Sequence, residues 1–305
     1  MIDWIKAARL RTLPLSMSGI VLGSFLAKWR LDYDLLHWDV RIFVWAMIVT
    51  LLYQVLSNFA NDYGDSLKGT DSEHRVGPTR AVQSGNISPK QMRNAVVVTA
   101  LLSLAATVYL LRLAFDGGAG RPFYTFLGLG VASILAAVGY TVGKKPYGYM
   151  GLGDIFVFLF FGLVSVCGSY FLFTKSFDAD ILLPASAIGF FSVAVLNLNN
   201  MRDIHSDRLT GKHTLALRIG FKRAMIYEII LLQLPLLLML AFLLMNHVTN
   251  IYAYIFMILM FPLMAIRRRI LEVKEPRELD PFLKQVGIMT LAMAVLVAVG
   301  INYFK

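Results

Sequence analysis

The sequence of 305 residues holds one cysteine, Cys167, so it can close no internal disulfide and build no cysteine-based zinc site. Charge is scarce: 16% of the residues are charged, against about 25% in soluble domains. Acids are scarcer than bases, with 19 Asp and Glu beside 29 Lys and Arg. The five histidines show no metal-ligand spacing; His205 and His213 read as polar loop residues. These shortages exclude a soluble enzyme, a secreted disulfide scaffold and a disordered binder.

What is abundant is apolar. Hydrophobic residues make up 57% of the chain, and the mean hydropathy is +0.65. Nine apolar runs lie near 13–30, 40–60, 93–113, 122–142, 153–174, 181–201, 224–245, 249–266 and 285–304. Each reaches or approaches the roughly 20 residues of a bilayer crossing. Backbone in hydrocarbon must satisfy its own hydrogen bonds, so each run predicts a helix. The sequence therefore predicts an all-α polytopic membrane protein of about nine transmembrane helices, forming one integral-membrane domain over 1–305. Cys167 falls mid-span and reads as a packed thiol. The basic, amphipathic start MIDWIKAARLRTLPLSM reads as uncleaved.

Lys and Arg gather in cytoplasmic loops of membrane proteins. With the N-terminus inside, the inner segments hold 22 of the 29 basic residues. That bias predicts a cytoplasmic N-terminus, an outer C-terminus and a bacterial inner-membrane location. The basic run Arg267-Arg268-Arg269 fits the same topology signal. The two largest polar insertions, 61–92 and 202–223, then face the cytoplasm and are expected to cap a site there.

Those insertions carry matched motifs. The first runs from Ser57 to Asp71 (SNFANDYGDSLKGTD), and the second from Asn197 to Lys212 (NLNNMRDIHSDRLTGK). Each follows a Val-Leu pair at the end of a predicted span, the second and the sixth, and in each an Asn precedes an Asp by four residues. The echo predicts an internal duplication, two four-helix halves whose acidic motifs follow helices 2 and 6. Asn199, Asp203 and Asp207 are spaced i, i+4, i+8, and Asn58, Asp62 and Asp65 i, i+4, i+7, so each set lines one helix face. Carboxylates so close at a membrane boundary need a cation. Mg²⁺ suits them, since it takes one or two carboxylates plus substrate phosphate oxygens. Asp62, Asp65, Asp203 and Asp207 are the candidate ligands. Lys68, Arg75, Arg80, Arg202, Arg208 and Lys212 are basic residues able to neutralise a diphosphate. The ordinary reading of a single such motif is a solvated loop capping a helix; two matched copies argue against it.

A third polar patch covers Tyr140 to Asp154 (YTVGKKPYGYMGLGD), with Tyr140 and Lys144 at i, i+4. By itself it reads as an interfacial aromatic belt with snorkelling lysines. Its glycines have no strand before them, so they form no dinucleotide site.

These strings resemble the UbiA-type intramembrane aromatic prenyltransferases. Together with Gly77 to Gly85 (GPTRAVQSG) and Val195 to Gly220 (VLNLNNMRDIHSDRLTGKHTLALRIG), they are most similar to the branch acting on 1,4-dihydroxy-2-naphthoate in menaquinone biosynthesis. The resemblance covers nearly the whole chain, with little signal in the last three spans. It implies Mg²⁺-dependent transfer from a polyprenyl diphosphate to 1,4-dihydroxy-2-naphthoate with loss of CO₂. It implies that Tyr140 and Lys144 are catalytic, with Tyr140 over an allylic cation. Asn58, Asn61, Lys68, Arg80, Asn199, Arg202 and Lys212 would bind or orient the diphosphate and its metal, and Arg9 or Arg11 the acceptor carboxylate. One departure stands out: Gly69 occupies the third Asp position of the wider superfamily's motif, and Asp71 follows two residues later. The role of Asp71 is therefore left open.

Rival readings are the same chemistry on another acceptor, such as 4-hydroxybenzoate, and a secondary transporter. Transporters place their acids near the bilayer midplane, whereas these lie at one face beside bases. A CDP-alcohol phosphotransferase would need a motif the chain lacks. Nothing points to nucleic acid or an obligate protein partner; the lipid bilayer is the expected surrounding.

Overall fold

Leucine, valine, isoleucine and phenylalanine in long runs leave the backbone one way to satisfy itself away from water, and the chain takes it. The computed structural model describes residues 2–31, 38–68 and 80–303. Among these, nine long helices follow in order: α1 Leu13–Leu31, α2 Val40–Leu67, α3 Pro89–Ala114, α4 Arg121–Gly139, α5 Gly153–Thr174, α6 Ala179–Arg202, α7 Phe221–Met245, α8 Ile251–Glu272 and α9 Pro276–Tyr303. Local chemistry sets several boundaries. Asp39 caps α2 by accepting from the Arg41 amide. Ser88 and Gln91 close a reciprocal capping box on α3, with Pro89 at its first position.

Helices α2 to α9 are each long and apolar enough to cross a membrane. The remaining helix, α1, carries Lys28 and Arg30 in its last turn, which lowers its hydropathy, and it packs closely on its neighbours. Ser16, Ser18, Gly19, Gly23 and Ser24 are buried against neighbouring helices rather than lipid. Small residues there let backbones approach, as membrane helix interfaces require.

The first four helices pack successively, α1 on α2, α2 on α3, and α4 on both α2 and α3. In the second half α6 packs on α5 and α7, and α8 on α7. The halves join where α1 meets α5, and α9, which belongs to neither quartet, closes against α1, α6 and α8. The main core gathers around residues such as Phe191, Phe242 and Phe256. A second, smaller core lies at one end: the short helix Ile2–Ala7 and the turn around Ala81, Val82 and Ile87 pack on Leu56 and Phe59 of α2.

The span expected to end at residue 60 continues as helix to Leu67. The first acidic motif is thus helical through Asp65 rather than looped, because its polar residues share one face and leave the backbone ladder intact. The second motif continues beyond α6 into a short helix, Ile204–Leu209.

Candidate functional site

The two motifs meet at the head of a cavity of about 440 Å³, lined by residues of α1 to α6 and by Leu283, Lys284 and Gly287 of α9. Along α2 it extends from Asp65 to Ala46, about 28 Å of helix at 1.5 Å per residue. Polar residues crowd one end, where Arg9, Asn58, Asn61, Asp65, Arg80, Asn199, Asp203, Asp207 and Lys212 all line it. Farther along, Leu110, Phe126, Phe160 and Leu172 make the wall apolar.

On α2, Asn58 is buried and donates to the Ala8 carbonyl at 2.8 Å, strapping the N-terminal segment to the helix. Gln54 donates to Thr12 Oγ1 at 3.1 Å in the same seam. Thr141 donates to Asn61 Oδ1 at 3.2 Å, and Arg80 to the Asn61 carbonyl at 3.0 Å. Asp62 is buried behind the cavity wall, with Arg80 Nε at 3.6 Å, an Arg9 guanidinium nitrogen at 3.8 Å and the Ala81 amide at 3.2 Å. Asp65 is ion-paired with Arg80 and accepts the Tyr149 hydroxyl.

The second motif comes from the opposite side. Asp203 and Asp207 are linked through the backbone, the Asp207 amide donating to the Asp203 carbonyl at 2.8 Å. Burial pushes the Asp207 carboxyl up to about 6; Lys212 opposes that shift, while Asp203 and Asp65 add to it. The Lys212 ammonium lies 3.8 Å from Asp207 Oδ1 and 4.0 Å from Asp65 Oδ1, so one cation bridges the two motifs.

Other candidates fall at varied depths. Tyr140 lines the cavity with its ring edge-on to Tyr147, and burial raises its phenol. Lys68 stacks its ammonium 4.3 Å from the Tyr149 ring, and burial lowers its pKa. Lys144 is exposed and lies outside the cavity lining. Arg202 is 1% exposed and also lies outside the lining; its guanidinium forks onto Asp203. A direct diphosphate contact does not suit it, because it does not reach the cavity that would hold the headgroup. Asp71 and the side chain of Arg11 lie outside the described residues.

Sequence reasoning missed Tyr149, whose hydroxyl reaches Asp65 and whose ring faces Lys212 at 4.9 Å. Its place in the Tyr140 to Asp154 string was the available signal. It also missed Asp280, which pairs with Arg202 across the fold.

No group of three His, Cys, Asp or Glu among the described residues is close enough to hold a metal alone. The donor set still fits Mg²⁺. Asp65, Asp203 and Asp207 present hard oxygens to one cavity, and the ammonium between Asp65 and Asp207 shows that a cation is accommodated there. Mg²⁺ needs only one or two carboxylates when phosphate oxygens supply the rest.

Known proteins resemble this chain in sequence and in fold. The profile of the UbiA prenyltransferase family matches residues 17–294. The 1,4-dihydroxy-2-naphthoate octaprenyltransferase of Haemophilus influenzae is 41% identical over 301 residues, 98% of this chain and 95% of that protein. Its counterpart in Escherichia coli is 38% identical over 298 residues, 98% of this chain and 94% of that one. A solved UbiA homolog from Archaeoglobus fulgidus, bound to DMAPP and Mg²⁺, has the same fold, with a TM-score of 0.61 and 14% identity over 97% of this chain and 99% of that one.

Proposed function

The chain belongs to the UbiA prenyltransferase family, and from that premise we propose that it transfers a polyprenyl group from an allylic polyprenyl diphosphate to 1,4-dihydroxy-2-naphthoate, with loss of CO₂, in menaquinone biosynthesis. The observation carrying this reading is the meeting of two acidic motifs across Lys212 at the mouth of a long apolar cavity. A diphosphate headgroup with an apolar tail matches both ends, and the named relatives support the naphthoate acceptor.

In this reaction the allylic C–O bond breaks and its electron pair leaves with the diphosphate. A bound Mg²⁺, held by Asp65, Asp203 and Asp207, would stabilise that leaving charge. Arg80 and Lys212, both lining the cavity, contact diphosphate oxygens. Asp62 holds Arg80 and Arg9 in place, and Asn58, Asn61 and Asn199 orient the polar end. Arg9, strapped over the cavity by the Asn58 bond to Ala8, receives the acceptor carboxylate. Tyr140 turns an aromatic ring toward the developing allylic cation, where positive charge is favoured. The ring carbon bearing the carboxylate attacks, a C–C bond forms, and CO₂ departs leaving its bonding pair to restore the aromatic ring. The apolar cavity excludes water from the cation.

The site faces the cytoplasm of a bacterial inner membrane, as the basic-residue bias supports. Purified protein in nanodiscs with Mg²⁺ and a long-chain prenyl diphosphate should consume 1,4-dihydroxy-2-naphthoate, release CO₂ and stop on EDTA addition. Turnover of 4-hydroxybenzoate alone would reassign the acceptor, and silence with both from folded protein would overturn prenyl transfer. Asp65→Asn and Asp203→Asn should each abolish turnover while the protein still inserts and folds; full activity in both would sink the metal assignment.

A further inference from the structure

We propose that Asp280 is a positioning residue for the second acidic motif, acting through Arg202 to keep Asp203 aimed at the cavity and able to hold a cation; this rests on the reading of the site given above.

Arg202 donates through Nε and Nη2 to the two oxygens of Asp203 at 2.9 and 2.7 Å. Nη2 also reaches Asn199 Oδ1 at 2.9 Å, and Nη1 reaches Asp280 Oδ1 at 2.5 Å. Every nitrogen of this buried guanidinium is therefore engaged, and its plane is fixed from two sides. Asp280 opens the α-helical part of α9, after the 3-10 turn Pro276–Leu279. It shares a face with Leu283, Lys284 and Gly287, at i+3, i+4 and i+7, all of which line the cavity. The last helix thus reaches the catalytic end of the cavity through one stripe, with Asp280 at its head.

A charge argument gives this contact its purpose. An arginine forked onto one carboxylate forms a neutral pair, and a neutral pair attracts a metal cation poorly. With Asp280 drawing on Nη1, the guanidinium is shared between two carboxylates, so Asp203 is less fully neutralised. Asp280 also anchors the guanidinium, which lies outside the cavity lining while Asp203 is part of it. Without it, Arg202 keeps its fork on Asp203 and its bond to Asn199, neutralises Asp203 more fully and loses its anchor on the far side.

The test uses the full-length protein in nanodiscs with Mn²⁺ and inorganic pyrophosphate, following free Mn²⁺ by its electron paramagnetic resonance signal. Asp280→Asn should raise the Mn²⁺ dissociation constant about tenfold, the low end of what losing a partner behind a metal ligand costs. In the turnover assay the Mg²⁺ concentration for half-maximal rate should rise in parallel, with the KM for naphthoate unchanged. Asp280→Glu, which keeps the charge, should restore binding. Asp280→Ser, a second neutral residue common at helix starts, repeats the test if the Asn variant does not fold. Wild-type Mn²⁺ affinity in the neutral variants would overturn the proposal, as would an equal loss in Asp280→Glu, which would mark a structural anchor. The Mn²⁺ readout needs no turnover, so failure of the prenyl-transfer reading is seen separately, in a wild-type enzyme inactive on both acceptors.

Discussion

Tyr149 shows how much one side chain does at the polar end of the cavity. Its hydroxyl donates to Asp65, and its ring lies under the ammonium groups of Lys68 and Lys212 at 4.3 and 4.9 Å. Tyr149→Phe removes the donor and keeps the ring. A hydrogen bond to a charged group is worth about 1.5–3 kcal/mol, so the Mg²⁺ concentration for half-maximal turnover should rise by about ten- to a hundredfold, read by titrating Mg²⁺ into the assay. Asp207 adds a pH dependence. Burial holds its carboxyl at about 6, so in the metal-free protein it carries a proton below that pH. Mg²⁺ must displace this proton, and its apparent affinity should fall as pH drops from 7.5 to 5.5; affinity flat across that range would contradict the assignment. The folding term has the opposite trend. A raised carboxyl favours the folded state at low pH and loses that contribution as pH rises through about 6.

Among the elements, α1 meets α5 through glycine, while Leu22 and Leu26 anchor it in the main core. A Cβ at Gly23 would lie 2.3 Å from the Val166 carbonyl oxygen of α5, and one at Gly19 would meet Ser165 Oγ at 2.2 Å. The four-residue spacing of these glycines places both on one face, opposite Ser165 and Ser169. Gly23→Ala forces α1 away from a backbone atom that cannot rotate aside. Overpacking of this kind costs about 1–3 kcal/mol, so the variant should melt at lower temperature in detergent; an unchanged melting temperature would show that the interface relaxes freely. The small polar residues of α1 are spent on helix–helix contact, where lipid exposure sets no demand.

For the whole molecule, topology is the open physical question, and the one native cysteine makes it accessible. Replacing Cys167 by Ala leaves a chain without thiols. Lys144 and Ser176 are both exposed, near the cavity head and the opposite end of α5 respectively. In that background Ser176→Cys should react with a membrane-impermeant maleimide on intact cells. Lys144→Cys should react only in inverted membrane vesicles. The reverse pattern would turn the protein over and move the site to the outer face.

The helices, their number and the two acidic motifs were legible in the sequence because they are local properties: apolar run length, and a spacing that repeats with the helical period. Asn58, Asp65, Asn199, Asp203 and Asp207 line one cavity, each set on the face its spacing gave, and Asn61, Arg80 and Lys212 line it beside them. Which oxygen or nitrogen faces the cavity was not legible. Asp62 and Asp65 share a helix face in the sequence, yet Arg9 and Arg80 draw Asp62 behind the wall. Arg202 looked like one more basic residue beside a diphosphate until Asp280 claimed its guanidinium. Lys144 sat in the right string but points to solvent. Periodicity orders side chains around one helix axis, and that information is complete in the chain. Pairing between helices depends on how distant segments cross, so only the tertiary structure decided which carboxylates are left to face a cation.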